Sequence, residues 1–493
     1  THAHCYACQV EVRRQLFGTI ACACVLLAGA TGCHRVEASP VPQPSASRAA
    51  VAALPGGAPK PLGVVLITVD TLRADYLSCY GHARVLTPSF DRLASGGVLF
   101  RQAISQSTTT TPSHASILTS LYLQDHNVFS NFEAVGSNVK TLAEILVGRG
   151  YSTFSIVNMP HLNPQVSNLG QGFQTVVPSN NMRSATQTID TFLAWLEAHR
   201  EQRFFAWLHF VDVHTPYRPP PPYDRFYYDD DERDPAKRSL ARIWPLLPLN
   251  MSDHPSFRAW LEGITDVDWV LAQYQGAVTY VDDEIGRLLD TLDTRGVLDR
   301  TAVVLTADHG ESLGEHDMYF VHTGLYEPTV HVPLITYFPG SGRQGVEVPE
   351  VVESVDIMPT ILEYLDVPVP RHIRGRSLWP LIFREVEPAH IALSEHAGRN
   401  LVSLRSDRFK YVRHLRTLHI QPSYPFVDGR EELYDLRQDP IERFDLVTAR
   451  PDVVRIFRAE LERRRADRQD LAQGTAEVTR ETEEILRALG YVR

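Results

Sequence analysis

The 493 residues, 43% hydrophobic and 22% charged, suffice for one large domain and a smaller one, which excludes a disordered or fibrous chain. The net charge of −11 comes with no basic stripe, which excludes nucleic acid as the partner while leaving a local anion site open. Five of the six cysteines lie in the first 33 residues, so the body, with Cys79 alone, has no internal disulfide framework.

Residues 1–33 read as a processing segment. Arg13 and Arg14 precede an apolar run from Leu16 to Ala28, and Gly29, Ala30, Thr31 and Gly32 then lead to Cys33. A basic start, a short apolar run and small residues describe an export signal. The run is too short for a membrane span. Small residues ahead of a cysteine resemble the lipobox of bacterial lipoproteins. That resemblance implies cleavage before Cys33, a lipid on its thiol, and an exported protein held at a bacterial membrane on its periplasmic or cell-surface side. A plain signal peptide or an uncleaved anchor is the alternative. Residues 34–62, rich in Pro, Ala and Ser, form an extended tether.

The body begins with Gly63 to Val69 (GVVLITV), a continuous apolar run that predicts a central parallel strand ending at Asp70. Further strands are predicted at Tyr151–Val157, Phe204–Val211, Thr301–Ala307 and Val332–Phe338, and helices at Val139–Arg149, Thr186–His199, Trp269–Arg295 and Asp356–Leu365. Asp282 and Asp283, on the long helix, are expected to face solvent. A proline-rich acidic loop, Arg218 to Asp234, looks like an insertion near a site mouth. The alternation predicts an α/β fold, a large mainly parallel sheet sandwiched by helices, over residues 63–388. From 389 to 493 the texture changes. Leu401–Arg405, Phe409–His414 and Glu432–Leu436 read as antiparallel strands, and Asp452–Arg465 and Val478–Leu489 as charged helices, together a smaller C-terminal α+β subdomain.

Chemistry gathers at strand ends. In open α/β sheets functional groups collect beyond the carboxyl ends of the strands. Asp70 ends the first strand, Asp212-Val213-His214 the third, and Asp308-His309-Gly310-Glu311 the fourth. Between them lies Ser107 to Ser120 (STTTTPSHASILTS), where hydroxyls precede a helix opened by Pro112. A hydroxyl at a helix N-terminus is placed to attack an anionic ester, although such a stretch read alone is an ordinary cap. Two carboxylates and an imidazole bind a divalent cation, and a cation lowers the pKa of a hydroxyl bound to it.

The order Val69-Asp70-Thr71-Leu72-Arg73, Thr110-Thr111-Pro112-Ser113-His114, Asp212-Val213-His214-Thr215-Pro216-Tyr217, Asp308-His309-Gly310-Glu311 and Gly375-Arg376-Ser377-Leu378 resembles the sulfatase family of the alkaline phosphatase superfamily. The resemblance implies one divalent cation held by Asp70, Asp308 and His309, with Thr110 as nucleophile completing the shell. It places His214, His322 and Asn131 around the substrate oxyanion or leaving group, Asn131 by its spacing from Thr110. His114 stands where the family carries an arginine, and His322 where many members carry a lysine. The family's Lys-x-His pair is missing around Asn158-Met159-Pro160-His161, and Thr71 replaces a second aspartate. His309 among the ligands shifts the expected ion from calcium toward manganese or zinc, with magnesium possible.

The largest departure is Thr110 itself. Family sulfatases oxidise a cysteine or serine there to formylglycine. Threonine carries a methyl group on Cβ, so the same oxidation would give a ketone, and the aldehyde-hydrate route is closed. A threonine nucleophile resembles instead the phosphodiesterases and phospho-group transferases of the superfamily. The expected reaction is cleavage of a phosphoester of an envelope lipid, glycan or small molecule. Sulfate-ester hydrolysis is the alternative, and a catalytically silent glycan-binding lipoprotein is the rival from another class. Thr109 and Thr111 stay as alternatives to Thr110 should the register slip.

Overall fold

The computed structural model describes residues 61–385, 387–417 and 427–468. The expectations for the export signal, Cys33, the tether up to residue 60 and the helix Val478–Leu489 fall outside them. No helix among the described residues is long and apolar enough to cross a membrane.

The strands run in chain order as β1 (Gly63–Val69), β2 (Val98–Ile104), β3 (Ser152–Ile156), β4 (Thr175–Val177), β5 (Phe204–Phe210), β6 (Thr301–Thr306), β7 (Ser312–Leu313), β8 (Tyr319–Val321), β9 (His331–Tyr337) and β10 (Val346–Glu353). Eight of them form one sheet in the order β10-β2-β9-β6-β1-β5-β3-β4, and β7 pairs with β8 in a hairpin. Within that sheet β9 runs antiparallel to β2 and β6, and the other pairs are parallel. β1, β5 and β6 are buried at every position, as expected of strands with helices over both faces. Thr68 is in register with both His209 and Thr306, so these three strands end at one level. That register brings Asp70, the Asp212–His214 segment and Asp308 to the same edge.

β2 and β10 are not evident from the sequence. β10 (VEVPEVVE) carries three glutamates and Pro349, and its pairing with β2 slips between Val348 and Val351. It is an edge strand, where proline and charge are tolerated.

The main helices are α1 (Pro88–Gly96), α2 (Thr110–Thr119), α3 (Leu142–Val147), α4 (Ala185–His199), α5 (Val267–Thr294), α6 (Ile357–Tyr364) and α7 (Pro451–Ala466). α3 starts later than expected because Thr141 and Glu144 close a capping box there, and it ends at Val147 ahead of Gly148. The expectation for the aspartates on α5 is half right. Asp283 is exposed, but Asp282 is fully buried. Its Oδ1 accepts the Phe90 N–H (2.7 Å) and its Oδ2 the Ser89 N–H (3.0 Å), so it caps α1 from another helix. Asp282→Ala leaves the buried Phe90 N–H and the half-buried Ser89 N–H without their acceptor and is expected to cost about 1–3 kcal/mol in a urea melt.

A second, antiparallel sheet follows: β11 (Ala392–Glu395), β12 (Leu401–Arg405), β13 (Phe409–His414) and β14 (Glu431–Asp435), in that order. α7 covers it, with Phe457 stacked on Tyr411 at 5.8 Å. The Glu395 N–H donates to the Gln106 carbonyl (2.8 Å), which sets this subdomain against the segment entering α2.

Candidate active site

Three buried ligand-capable side chains meet where β1 and β6 end. The Asp70 N–H donates to the Phe210 carbonyl (2.9 Å), extending the β1–β5 ladder by one residue. The chain then turns at Thr71, whose φ of 57° is left-handed, and the Thr71 hydroxyl ties the turn to the Val213 carbonyl (2.9 Å). Asp308 Oδ1 accepts the N–H of His309 (2.8 Å) and that of Thr71 (3.4 Å). Gly310 allows the next approach, because a Cβ there would stand 2.1 Å from the Pro328 carbonyl oxygen.

Ligand atoms of Asp70, Asp308 and His309 all lie within 4.8 Å of one another. Both Asp70 oxygens and Asp308 Oδ2 are buried without a hydrogen-bond partner. His309 Nδ1–H faces the Gly310 carbonyl (3.1 Å), so the Nε2 lone pair points to the cluster, 3.3 Å from Asp308 Oδ2 and 3.8 Å from Asp70 Oδ1. Unpartnered buried carboxylate oxygens are costly, and these residues fit a divalent cation. The electrostatics agree. Burial and the Asp70 charge push the Asp308 carboxyl well above its ordinary range. Burial also raises Asp70, but the neighbouring imidazoles, His214 foremost and then His209, outweigh it and hold Asp70 low. Burial keeps His309 neutral, with His322 adding to the effect. Burial and the Asp70 charge thus favour the protonated form of Asp308 where no cation is bound.

α2 delivers the hydroxyl. Thr109 is its extended N-cap, and Thr110 opens the helix fully buried. Thr110 Oγ1 stands 3.5 Å from His309 Nε2, beside the ligand atoms. The Thr111 hydroxyl turns instead to the His161 carbonyl (3.4 Å). Ser113 Oγ–H donates to the Asp308 carbonyl (2.6 Å), and Ser105 Oγ–H donates to the same oxygen, so α2 is fastened directly to the end of β6. The Thr111 N–H donates to Asn131 Oδ1 (2.9 Å), which leaves the buried Asn131 Nδ2 without a partner.

His114 takes a supporting place. Its Nδ1–H donates to the Thr110 carbonyl (2.8 Å), and its Nε2 accepts from the Thr68 hydroxyl (3.0 Å). Thr68 in turn accepts from Trp207 Nε1–H (3.0 Å). Burial first, then His209, lowers its pKa to about 3, so the ring is neutral, with both nitrogens engaged beneath Thr110.

His214 and His322 complete one side. The His214 Nδ1–H donates to the Thr215 carbonyl (2.7 Å). The His322 ring centre lies 4.6 Å from that of His309 and 5.6 Å from that of His214. His322 Nδ1 is 3.6 Å from the buried carboxylate of Glu311. Burial works against charge on His322, but Glu311 outweighs it and raises the pKa. Asp212 lies apart from the cluster's chemistry, its Oδ1 accepting the Ala185 N–H (3.0 Å) at the start of α4.

Two further histidines were not selected from sequence. His161 is fully buried, and the Asp70 charge acts on it. His209, the sixth residue of β5, puts Nε2 3.5 Å from Asp70 Oδ2. The available signal was a single imidazole inside the apolar run FFAWLHF, in register with Thr68.

The sequence matches the family model described as "Sulfatase" over residues 63–367 and that described as "N-sulphoglucosamine sulphohydrolase, C-terminal" over residues 314–467. An arylsulfatase of Clostridium perfringens is 26% identical over 458 residues, spanning 78% of this chain and 90% of that protein. The multifunctional alkaline phosphatase superfamily protein PehA of Trinickia caryophylli is 26% identical over 475 residues, spanning 77% and 90%. The crystal structure of the phosphonate monoester hydrolase of Agrobacterium radiobacter shares the fold, with a TM-score of 0.66, 24% identity, and coverage of 86% of this chain and 99% of that one.

Proposed function

The chain belongs to the sulfatase family, and on that premise we propose that it is a metal-dependent hydrolase or transferase that cleaves a phosphoester with Thr110 as nucleophile. The observation that carries this reading is a threonine hydroxyl beside the Asp70–Asp308–His309 set, where oxidation to an aldehyde is closed by the Cβ methyl. Asp70, Asp308, His309 and Thr110 Oγ1 would hold a divalent cation, which when bound lowers the hydroxyl's pKa and offsets charge on the transferred group's oxygens.

The chain's own residues supply the rest. Thr110 loses its hydroxyl proton to solvent, and its Oγ attacks phosphorus in line, forming the Oγ–P bond as the bond to the leaving oxygen breaks. Asn131 Nδ2–H donates to a non-bridging oxygen, its amide being fixed by the Thr111 N–H. His322 or His214 returns a proton to the leaving oxygen. Water or an acceptor alcohol then attacks the same phosphorus and frees Thr110. His114 holds the Thr110 backbone in place throughout.

Sulfate-ester hydrolysis is the second reading, because curated relatives carry the names arylsulfatase and, in Bacteroides thetaiotaomicron, N-acetylglucosamine-6-O-sulfatase. A panel of aryl phosphate monoesters, aryl phosphate diesters and aryl sulfates, assayed with added manganese, separates the two. Turnover of phosphorus esters is expected to exceed that of sulfates. Turnover of sulfates alone overturns the phosphoester reading.

A further inference from the structure

We propose that His209 is a positioning residue for the metal ligand Asp70: it donates through Nε2–H to Asp70 Oδ2 and thereby fixes how that carboxylate presents itself to the cation. This rests on the proposed cation site, and the experiment below separates the two.

The ring is held from behind. The Asn158 N–H donates to His209 Nδ1 (3.2 Å), so Nδ1 is an acceptor and the proton resides on Nε2. Asn158 is itself fixed. Its Nδ2 donates to the His209 carbonyl and to Thr188 Oγ1 (2.9 Å), and its Oδ1 accepts from Arg183 (3.2 Å). The His114 ring packs edge-on against His209 at 5.1 Å and limits its rotation. Nε2 therefore faces Asp70 Oδ2 at 3.5 Å, long for a hydrogen bond, and both atoms are fully buried and without any other partner, so a small approach of the carboxylate on binding the cation makes the bond. Asp70 Oδ1 is the oxygen that approaches His309 Nε2, at 3.8 Å. One oxygen is thus assigned to the imidazole N–H and the other is left for the ion. Outer partners of this kind typically contribute about 10- to 100-fold in metal affinity.

A protonated Nε2 also separates this role from direct ligation. As a ligand His209 would need its lone pair on Nε2, and its Nδ1 would then carry a proton facing the Asn158 N–H, two donors head to head.

The test titrates Mn²⁺ into metal-stripped protein by calorimetry, for wild type, His209→Leu and His209→Gln. His209→Leu removes the donor and is expected to weaken Mn²⁺ binding about 10- to 100-fold, while His209→Gln, which keeps an N–H at similar reach, restores most of it. Equal affinity of His209→Leu and wild type, or equal weakness of the two variants when both are folded, overturns the proposal. Failure of wild type to bind Mn²⁺, Zn²⁺ or Mg²⁺ would instead remove the cation site beneath it. Should His209→Leu not fold, ¹⁵N-histidine NMR of the Zn²⁺-loaded wild type decides. A His209 Nε2–H signal without a ligation shift is expected, and a ligated Nε2 overturns the assignment.

Discussion

Thr110→Ala is expected to lower kcat by roughly 10⁴-fold or more while the protein stays folded and still binds Mn²⁺. The reason lies in what the substitution leaves behind. The Thr110 backbone carbonyl still accepts from His114, and Ser113 on α2 and Ser105 at the end of β2 still donate to the Asp308 carbonyl, so the site keeps its shape. What is lost is Oγ1, the atom 3.5 Å from His309 Nε2, together with the methyl group beside it. Thr110→Ser restores a hydroxyl without the methyl group and is expected to recover turnover in large part. Intact-mass analysis after rapid acid quench of wild type with an activated aryl phosphate should show one added phosphoryl group, mapped to Thr110 and absent from Thr110→Ala. An alanine variant with undiminished kcat would sink the assignment and pass the role to Thr109 or Thr111. Thr111 has the weaker claim, since its hydroxyl points to the His161 carbonyl.

What the sequence disclosed followed from how strongly each segment is constrained. β1, β5 and β6 are buried on both faces, so they read as largely apolar runs that stop abruptly at Asp70, Asp212 and Asp308. Their common end could be anticipated because catalytic groups collect at the carboxyl edge of such sheets. β10 was invisible for the opposite reason. At the edge, with Pro349 in its middle, it has the composition of a loop and becomes a strand only through pairing with β2. Side-chain partners across elements were equally hidden. Asp282 looked like a solvent-facing helix residue until α1 was placed over it. His209 reads as one polar residue in a buried strand, and its meaning depends on the neighbouring strand ending in an aspartate. His114 sits where a family arginine was anticipated, and its two nitrogens prove to serve Thr110 and Thr68.

Stabilisation by Mn²⁺ is expected to grow as pH rises from about 5 toward the raised Asp308 pKa, and Asp308→Asn is expected to abolish both the stabilisation and its pH dependence. In the metal-free fold the Asp308 carboxyl lies well above its ordinary 3.8, through burial and the Asp70 charge. The folded state therefore binds more protons than the unfolded chain across that window. Stability falls as pH rises through it, by at most about 1.4 kcal/mol per pH unit for one proton. Asp70 works the other way, its depressed pKa adding stability that is present above its ordinary value and lost only in acid. Above about pH 5 the Asp308 contribution therefore governs the pair. A cation takes the place of the proton between the two carboxylates, so the loaded protein escapes the loss, and the gap between Mn²⁺ and EDTA melts widens with pH. In Asp308→Asn, Oδ1 can still accept from Thr71 and His309, while the amide NH₂ replaces the unpartnered Oδ2 and faces Asp70 as a donor. The metal-free variant should accordingly match or exceed metal-free wild type in thermal stability at about pH 8, yet gain nothing from Mn²⁺ and turn over no substrate. Melts of the two proteins at three pH values check both arms. A Mn²⁺ effect of constant size, or an asparagine variant less stable than metal-free wild type at the high end, would mean that the buried pair carries no shared proton for a cation to displace.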